Sequence, residues 1–362
     1  MTDGLHVFIG TKAQYIKTAP LLRLFDERGV AYRLIDSGQH AGIAASMRSE
    51  LGVRRPDFTL GGADDVATIP RALVWSLGLA GRLVRRRRLQ AEVFGGMGGI
   101  CIVHGDTPST LLAALMARRA GLRVAHLEAG LRSHKLTHPF PEEIIRIVTM
   151  RLASLLFAPD AAAVRNLERM RVKGRIVALS GNTSLEAVGF ALPDVSEPGG
   201  GPVVATMHRV ENLHNGPRIE AMIALVERVA AQYPVRFVLH EPTEAALAKR
   251  GLGRRLASAG VERVGLAGHG EFVRMLAAAP FVITDGGSIQ EECALLGVPT
   301  LLWRDRSERP DGIGGNVVVG RYDPEVIDRF LADPEAVRVP MRQPAVSPSA
   351  EILAVLLDEP TS

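Results

Sequence analysis

Residues 102–143 contain IVHGDTPST (102–110), VAHLEAGLRS (124–133) and HPFPEE (138–143), and this stretch sets acidic side chains at the ends of apolar runs. Asp106 follows ICIVHG, Glu128 follows RVAHL, and Glu142 with Glu143 opens an amphipathic segment directly after Pro141. A buried strand delivers a carboxylate in this way. In a parallel α/β sheet the ligand crevice lies beyond the carboxyl ends of the strands, so the pattern points to an enzyme.

Outward from this stretch, apolar β-branched runs alternate with helical-period segments, the mark of βαβ units. A first series comprises LHVFIG (5–10), AYRLIDSG (31–38), CIVHGD (101–106), RVAHLEAG (123–130), LLFAPD (155–160) and RIVALSG (175–181). A second comprises PVVATMH (202–208), VRFVLHEP (235–242), VERVGLAG (261–268), FVITDGG (281–287), PTLLWR (299–304) and NVVVG (316–320). Between them ALPDVSEPGGGP (191–202) crowds proline and glycine as an exposed linker does. The expectation is an α/β chain of two doubly wound Rossmann-like domains, residues 1–190 and 200–348, with a ligand cleft between them. Residues 349–362 are expected to form a helix that packs back on the first domain.

The chain has 362 residues, 47% hydrophobic, 23% charged and 5% aromatic, with a formal charge of +4. That length suits about two cores, and the modest charge argues against a nucleic-acid partner. Arg82 and Arg85 to Arg88 form one basic run, read as a solvated helix end. Cys101 and Cys293 lie in apolar surroundings without CxxC spacing and read as reduced core residues. The start MTDGLHVFIG has no charged-then-apolar leader, and the most apolar stretch, 72–84, is broken by Gly78, Gly81 and Arg82. A cytoplasmic protein without membrane insertion is expected.

Three further motifs bear on ligands. DGGSIQEE (285–292) runs from a strand into a helix, where glycines and free N–H groups suit a diphosphate, and Glu291 and Glu292 are placed to accept from ribose. By itself it is also an ordinary strand-to-helix turn. His208 and Arg209 end the first strand of the second series, a pair suited to phosphate. Lys12 and Lys17 begin the first helix, where the macrodipole opposes cations unless an anion binds. Gln39 and His40, after the second strand, either bind a sugar or close a turn. His134 and His138 have an i, i+4 spacing but no third ligand, so no metal site is expected.

HGDT (104–107), HLEAGLRS (126–133), PFPEE (139–143), GNT (181–183), HRVEN (208–212), DGGSIQEE (285–292) and RDRSERP (304–310), in that order, resemble the UDP-N-acetylglucosamine 2-epimerase family. The resemblance implies a GT-B-like architecture and epimerisation at sugar carbon 2 by anti elimination of UDP, a 2-acetamidoglucal and re-addition. It implies a UDP-sugar substrate, a homodimer, and no metal or other cofactor. It casts Asp106, Glu128 and Glu142 as the acid/base carboxylates, with His208 at the diphosphate and Lys17 beside the reaction. Lys12, Arg132, Arg209, Gly286, Gly287, Ser288, Glu292, Gln39 and His40 become substrate contacts.

The chain departs from the family pattern at several points. GTRPE is here GTKAQ, so Lys12 keeps a charge but loses the bidentate fork of arginine. DSGGxQEE is permuted to DGGSIQEE, and Ile145 replaces the asparagine of PEExNR. Of the family's allosteric pocket, Gln39 and Arg71 are kept, while Gly42 stands where a second glutamine belongs. Three other readings stay open: a hydrolase that adds water to the glycal, a glycosyltransferase of the same architecture, and a nucleotide-sugar-binding regulator without turnover.

Overall fold

The computed structural model describes residues 3–38, 47–61, 86–134, 141–190, 198–307, 309–341 and 346–359. Tertiary contacts divide the chain into a first unit, Met1–Ala187 with Pro344–Ser362, and a second unit, Val188–Gln343. The chain therefore leaves the first unit shortly before the proline- and glycine-rich stretch and returns to it at 343/344.

The first unit is built on a seven-stranded sheet with the order β3-β2-β1-β4-β5-β6-β7. Its strands are β1 (Asp3–Ile9), β2 (Tyr32–Asp36), β3 (Phe58–Thr59), β4 (Gly98–His104), β5 (Arg123–Leu127), β6 (Leu155–Ala158) and β7 (Arg175–Ala178), all paired in parallel. Alternate residues of the same strands enter different cores. Val7, Ile9, Leu34, Ile100 and Ile102 join Leu22 and Phe25 on one face, while Phe8, Ile35, Cys101, Val103 and Val124 join Phe94 and Met116 on the other. Burial on both faces is why these strands read as continuous apolar runs, and each fully buried Leu, Ile or Phe contributes about 1.5–3 kcal/mol.

The second unit repeats the scheme with six parallel strands in the order β10-β9-β8-β11-β12-β13. These are β8 (Val203–Thr206), β9 (Val235–Val238), β10 (Glu262–Val264), β11 (Val282–Thr284), β12 (Thr300–Leu302) and β13 (Val317–Val319). Val203, Ala205, Phe237 and Ile283 enter one core; Val204, Val238 and Val282 enter the other. Every run read as a strand in the sequence overlaps one here, and both units have the expected doubly wound α/β class. The two-residue β3 was not anticipated.

In each sheet the winding reverses at one place, between β1 and β4 and between β8 and β11. Ligands bind at such switch points in open α/β sheets. At the first, Thr11 caps helix Lys12–Glu27 in a capping box with Gln14. The Gln14 amide reaches across to donate to His104 O at 2.6 Å and Thr110 Oγ1 at 2.7 Å. Thr107 and Thr110 form a second capping box on helix Pro108–Ala120. Gly10 has to be small, because a Cβ there would lie 2.0 Å from Ser109 Oγ. Gln14 and Gly10 thus lock the ends of β1 and β4 together.

Helix Pro348–Asp358 belongs to the first unit and buries Ile352, Leu353 and Leu356 among Val7, Leu21 and Phe25. Glu359 ties its end to Arg123 at 2.7 Å and Arg175 at 2.9 Å. Of the basic run, Arg86 to Arg88 are exposed in helix Arg86–Glu92, and Arg88 pairs with Glu92 at 2.5 Å. Cys101 and Cys293 are free, buried thiols whose pKa burial pushes up to about 12. Among the described residues no helix is long and apolar enough to cross a membrane.

Candidate active site

In the first unit, β5 ends at Leu127 and the next residue, Glu128, adopts a left-handed backbone with φ 62°. A non-glycine residue pays for that conformation only where its surroundings hold it. Here Glu128 Oε1 accepts from Lys17 Nζ and from Asn182 Nδ2, each at 2.5 Å. Lys17 comes from helix Lys12–Glu27 and Asn182 from the turn after β7. The carboxylate is nearly buried, its side chain 8% exposed.

His104, the last residue of β4, places Nδ1 3.8 Å from Glu128 Oε2. Burial drives its pKa down to about 4, opposed by the charges of Glu128 and Asp106 and assisted by that of Lys17. The ring therefore stays neutral at physiological pH, and its buried Nε2 has no hydrogen-bond partner among the described residues. His126 is likewise buried with a lowered pKa, and its Nε2–H donates to Gly105 O at 2.8 Å. Lys17, Glu128 and Asp106 all act on His104, so the three sequence-derived residues lie around one imidazole.

Asp106 is the more open carboxylate, 28% exposed, and it pairs with Arg146 Nη2. Arg146 Nη1 also reaches Glu143 Oε2 at 3.5 Å. Glu143 is fully buried and accepts from Arg132 Nε and from Ser133 N at 3.0 Å. Burial pushes its pKa up, but the Ser133 and Arg132 contacts outweigh that and leave it below the usual range. Of the adjacent acids that open helix Glu142–Leu152, Glu143 is thus the internal anchor for Arg132 and Arg146. Glu142 is half-buried, and its Oε2 is buried without a partner among the described residues. Lys12 is the first residue of its helix and forms no ion pair among the described residues.

In the second unit, β8 leads to His208 and Arg209, and β11 leads to Asp285. Asp285 is fully buried and accepts from His208 N at 3.0 Å, Arg209 N at 3.1 Å and Asn212 Nδ2 at 2.9 Å. It therefore fixes the HRVEN turn. His208 Nδ1 lies 3.6 Å from Asp285 Oδ1, and its ring stacks on His240 with centroids 4.7 Å apart. Burial lowers its pKa despite Asp285, so the imidazole is held neutral. Arg209 pairs with Glu211 at 2.9 Å.

Helix Gly287–Leu296 starts without a side-chain cap, which leaves N–H groups of its first turn for a ligand. Gly287 and the exposed Ser288 sit in that turn. Gly286 contributes differently from the expectation: its N–H already donates to Thr284 Oγ1 at 3.0 Å. A Cβ on Gly286 would lie 2.6 Å from His208 Cε1, so the glycine makes room for the imidazole. The acidic pair also divides. Glu291, expected to meet ribose, is buried in an ion pair with Arg309 at 2.8 Å, whereas Glu292 Oε1 lies 3.1 Å from His269 Nε2.

Gln39, His40, Arg71 and His138 lie outside the described residues. No group of three or more His, Cys, Asp or Glu placed to hold a metal occurs among the described residues. The sequence reading gave no role to His104, Glu143, Arg146, Asn182, Asn212 or Asp285. The signal for most of them was present, since each falls within or beside a quoted motif: HGDT, PFPEE, GNT, HRVEN and DGGS.

Comparisons with known proteins identify the family. A family model described as UDP-N-acetylglucosamine 2-epimerase matches residues 23–336. The UDP-N-acetylglucosamine 2-epimerase of Bacillus subtilis is 30% identical over 90% of this chain and 86% of its own. The UDP-2,3-diacetamido-2,3-dideoxy-D-glucuronate 2-epimerase of Pseudomonas aeruginosa is 28% identical over 86% of this chain and 87% of its own. The crystal structure of Methanocaldococcus jannaschii UDP-GlcNAc 2-epimerase in complex with UDP-GlcNAc and UDP matches with a TM-score of 0.80 and 25% identity, covering 98% of this chain and 99% of that one. The GT-B-like fold class expected from the motifs is the class of these structures. With a matched model over most of its length and the seven motifs in order, the chain belongs to the UDP-N-acetylglucosamine 2-epimerase family.

Proposed function

We propose that the chain interconverts UDP-N-acetylglucosamine, or a related UDP-HexNAc, and its manno isomer by elimination and re-addition of UDP. The observation that carries this reading is the Glu128 carboxylate, held in a left-handed backbone by Lys17 and Asn182 with Asp106 nearby. A carboxylate removes the proton from carbon 2. The carbon 1 to oxygen bond then breaks with its electron pair leaving on UDP, and a carbon 1 to carbon 2 double bond forms. In the return step a diphosphate oxygen adds to carbon 1 while a proton is delivered to the opposite face of carbon 2.

Such chemistry needs a positioned base and stabilisation of the departing diphosphate. The first unit supplies the carboxylates Asp106, Glu128 and Glu142. The second supplies the diphosphate cradle: Arg209, the neutral His208, and the N–H groups at Gly287 and Ser288. Glu292 serves the ribose, and Lys12 and Arg132 serve the anionic parts of the substrate. The relative acting on a diacetamido-glucuronate makes a modified UDP-HexNAc the second substrate reading. The enzyme works as a cytoplasmic homodimer in this proposal.

Incubation with UDP-GlcNAc in deuterated water tests the reading by proton NMR and mass spectrometry. Deuterium at carbon 2 together with UDP-ManNAc is the expected result. Labelled free ManNAc with UDP would instead make the protein a hydrolase. Absence of exchange with UDP-GlcNAc and with modified UDP-HexNAc sugars would overturn the proposal.

A further inference from the structure

The environment of Glu128 contains a neutral side chain whose orientation is set with unusual definiteness. Asn182 Nδ2 donates to Glu128 Oε1 at 2.5 Å, and Asn182 Oδ1 accepts from Ser184 N at 3.2 Å. An amide has one donor end and one acceptor end. The backbone N–H of Ser184 requires the oxygen, and the carboxylate requires the nitrogen. The network therefore fixes which way the amide faces.

The turn that carries Asn182 is itself anchored. Thr183 and Ser184 are buried, and helix Ser184–Phe190 begins at once. Glu186, two residues into that helix, accepts from Ser349 N at 3.2 Å and from the hydroxyls of Ser347 and Ser349. Before Asn182, Ser180 N and Oγ donate to Glu351 at 2.8 and 2.9 Å. The segment 180–186 is thus clamped on both sides of Asn182 to the returning segment 346–359. That clamp holds the amide still against a residue whose backbone sits in a sparsely populated region.

We infer that Asn182 is a positioning residue for Glu128, acting with Lys17 to hold one carboxylate oxygen so that the carboxylate plane stays aimed at carbon 2 of the sugar. The inference rests on the proposed role of Glu128. Lys17 supplies charge on a long flexible stem, whereas Asn182 supplies direction, because its second contact leaves the amide no freedom to turn. Losing it leaves Glu128 paired with Lys17 but without the directional contact, which affects the chemical step and not the binding of UDP.

Asn182→Ala and Asn182→Ser, checked for folding by circular dichroism and for UDP affinity by calorimetry, separate these effects. A misplaced reacting group costs up to about a hundredfold in rate. The expected result for Asn182→Ala is a fall in kcat of about ten- to a hundredfold, with KM and the UDP Kd changed less than about threefold. Asn182→Ser keeps a short donor and falls between the two; it also serves if the alanine variant does not fold.

Asn182→Asp adds a sharper readout. It sets a second carboxylate against Glu128, whose titratable neighbours among the described residues include Lys17, His104, His126 and, through His104, Asp106. A proton shared by the two carboxylates restores the missing donor. The activity of this variant relative to the wild type should therefore rise as pH falls, which a merely structural role for Asn182 would not produce. Wild-type exchange at carbon 2 with unchanged kcat in all three variants overturns the assignment of Asn182 alone. Variants that lose UDP affinity in step with kcat overturn it as well. Absence of exchange in the wild type overturns the functional reading and this inference with it.

Discussion

Asp106 and Asp285 stand at corresponding places in the two units, each just beyond the strand that borders the switch point, yet the fold uses them in opposite ways. Asp106 follows β4, is 28% exposed, and pairs with Arg146. Asp285 follows β11, is fully buried, and spends both oxygens on the N–H groups of His208 and Arg209 and the amide of Asn212. One acid stays partly open to solvent; the other holds the 208–212 turn in place. An acid after an apolar run therefore marks a strand end in sequence, but only its hydrogen-bond partners tell an open carboxylate from scaffold.

Truncating each aspartate in turn should give the largest difference between the two units. Asp285→Ala removes a buried carboxylate and strands the buried Asn212 amide and two half-buried N–H groups, and is expected to cost about 3–5 kcal/mol of stability, with loss of UDP binding. Asp106→Ala removes a partly exposed ion pair and is expected to cost less than about 1 kcal/mol while turnover falls by more than a hundredfold. Chemical denaturation and exchange assays on both variants check this. Equal loss of stability would dissolve the distinction.

Acid stability sharpens the picture of the first unit. With a folded pKa of about 4, His104 stays neutral where the unfolded chain takes up a proton. Stability should then decline as pH falls from about 6.5 toward 4, by about 3 kcal/mol from this group alone. The lowered pKa values of His6, His126 and His208 act in the same sense. Glu143 adds a further loss below the usual carboxylate range, as its depressed folded pKa is reached. Replacing His104 with asparagine should flatten this decline in unfolding curves measured across that range.

Gln14 tests the junction of β1 and β4. The family motif has an acid there, but in this chain the amide donates to a backbone carbonyl, His104 O, at 2.6 Å. Gln14→Glu turns that donor into an acceptor facing an acceptor and should destabilise by about 1–3 kcal/mol in thermal unfolding at neutral pH. In the second unit, Gly286→Ala should displace His208, whose Cε1 lies 2.6 Å from the added Cβ position. The expected result is several-fold weaker UDP binding with a smaller change in stability, read by calorimetry.

Much of the fold was legible because strands buried on both faces announce themselves as apolar runs, and every run read as a strand overlaps one. Strand β3 was not, because Phe58–Thr59 is too short to show a pattern and exists through pairing with Ile35 and Asp36. At the site, Lys17, Asp106 and Glu128 were legible as charges near strand ends and helix starts. The division of Glu142 from Glu143, and of Glu291 from Glu292, was not. Neighbouring residues of one type differ only in which way the helix turns them, and the partners that settle it, Arg132, Arg146 and Arg309, come from elsewhere in the chain. Asn182 lies inside the GNT motif, but a lone neutral amide carries no charge or periodicity that would assign it a role.

In the proposed reaction the carboxylate of Glu128 takes part in proton exchange at carbon 2 of a UDP-HexNAc. The most direct measurement is the rate of deuterium entry at that carbon in Glu128→Gln, with UDP affinity measured on the same sample. Exchange is expected to fall by at least a hundredfold while UDP binds within about threefold of wild type. Exchange at the wild-type rate in Glu128→Gln would contradict it.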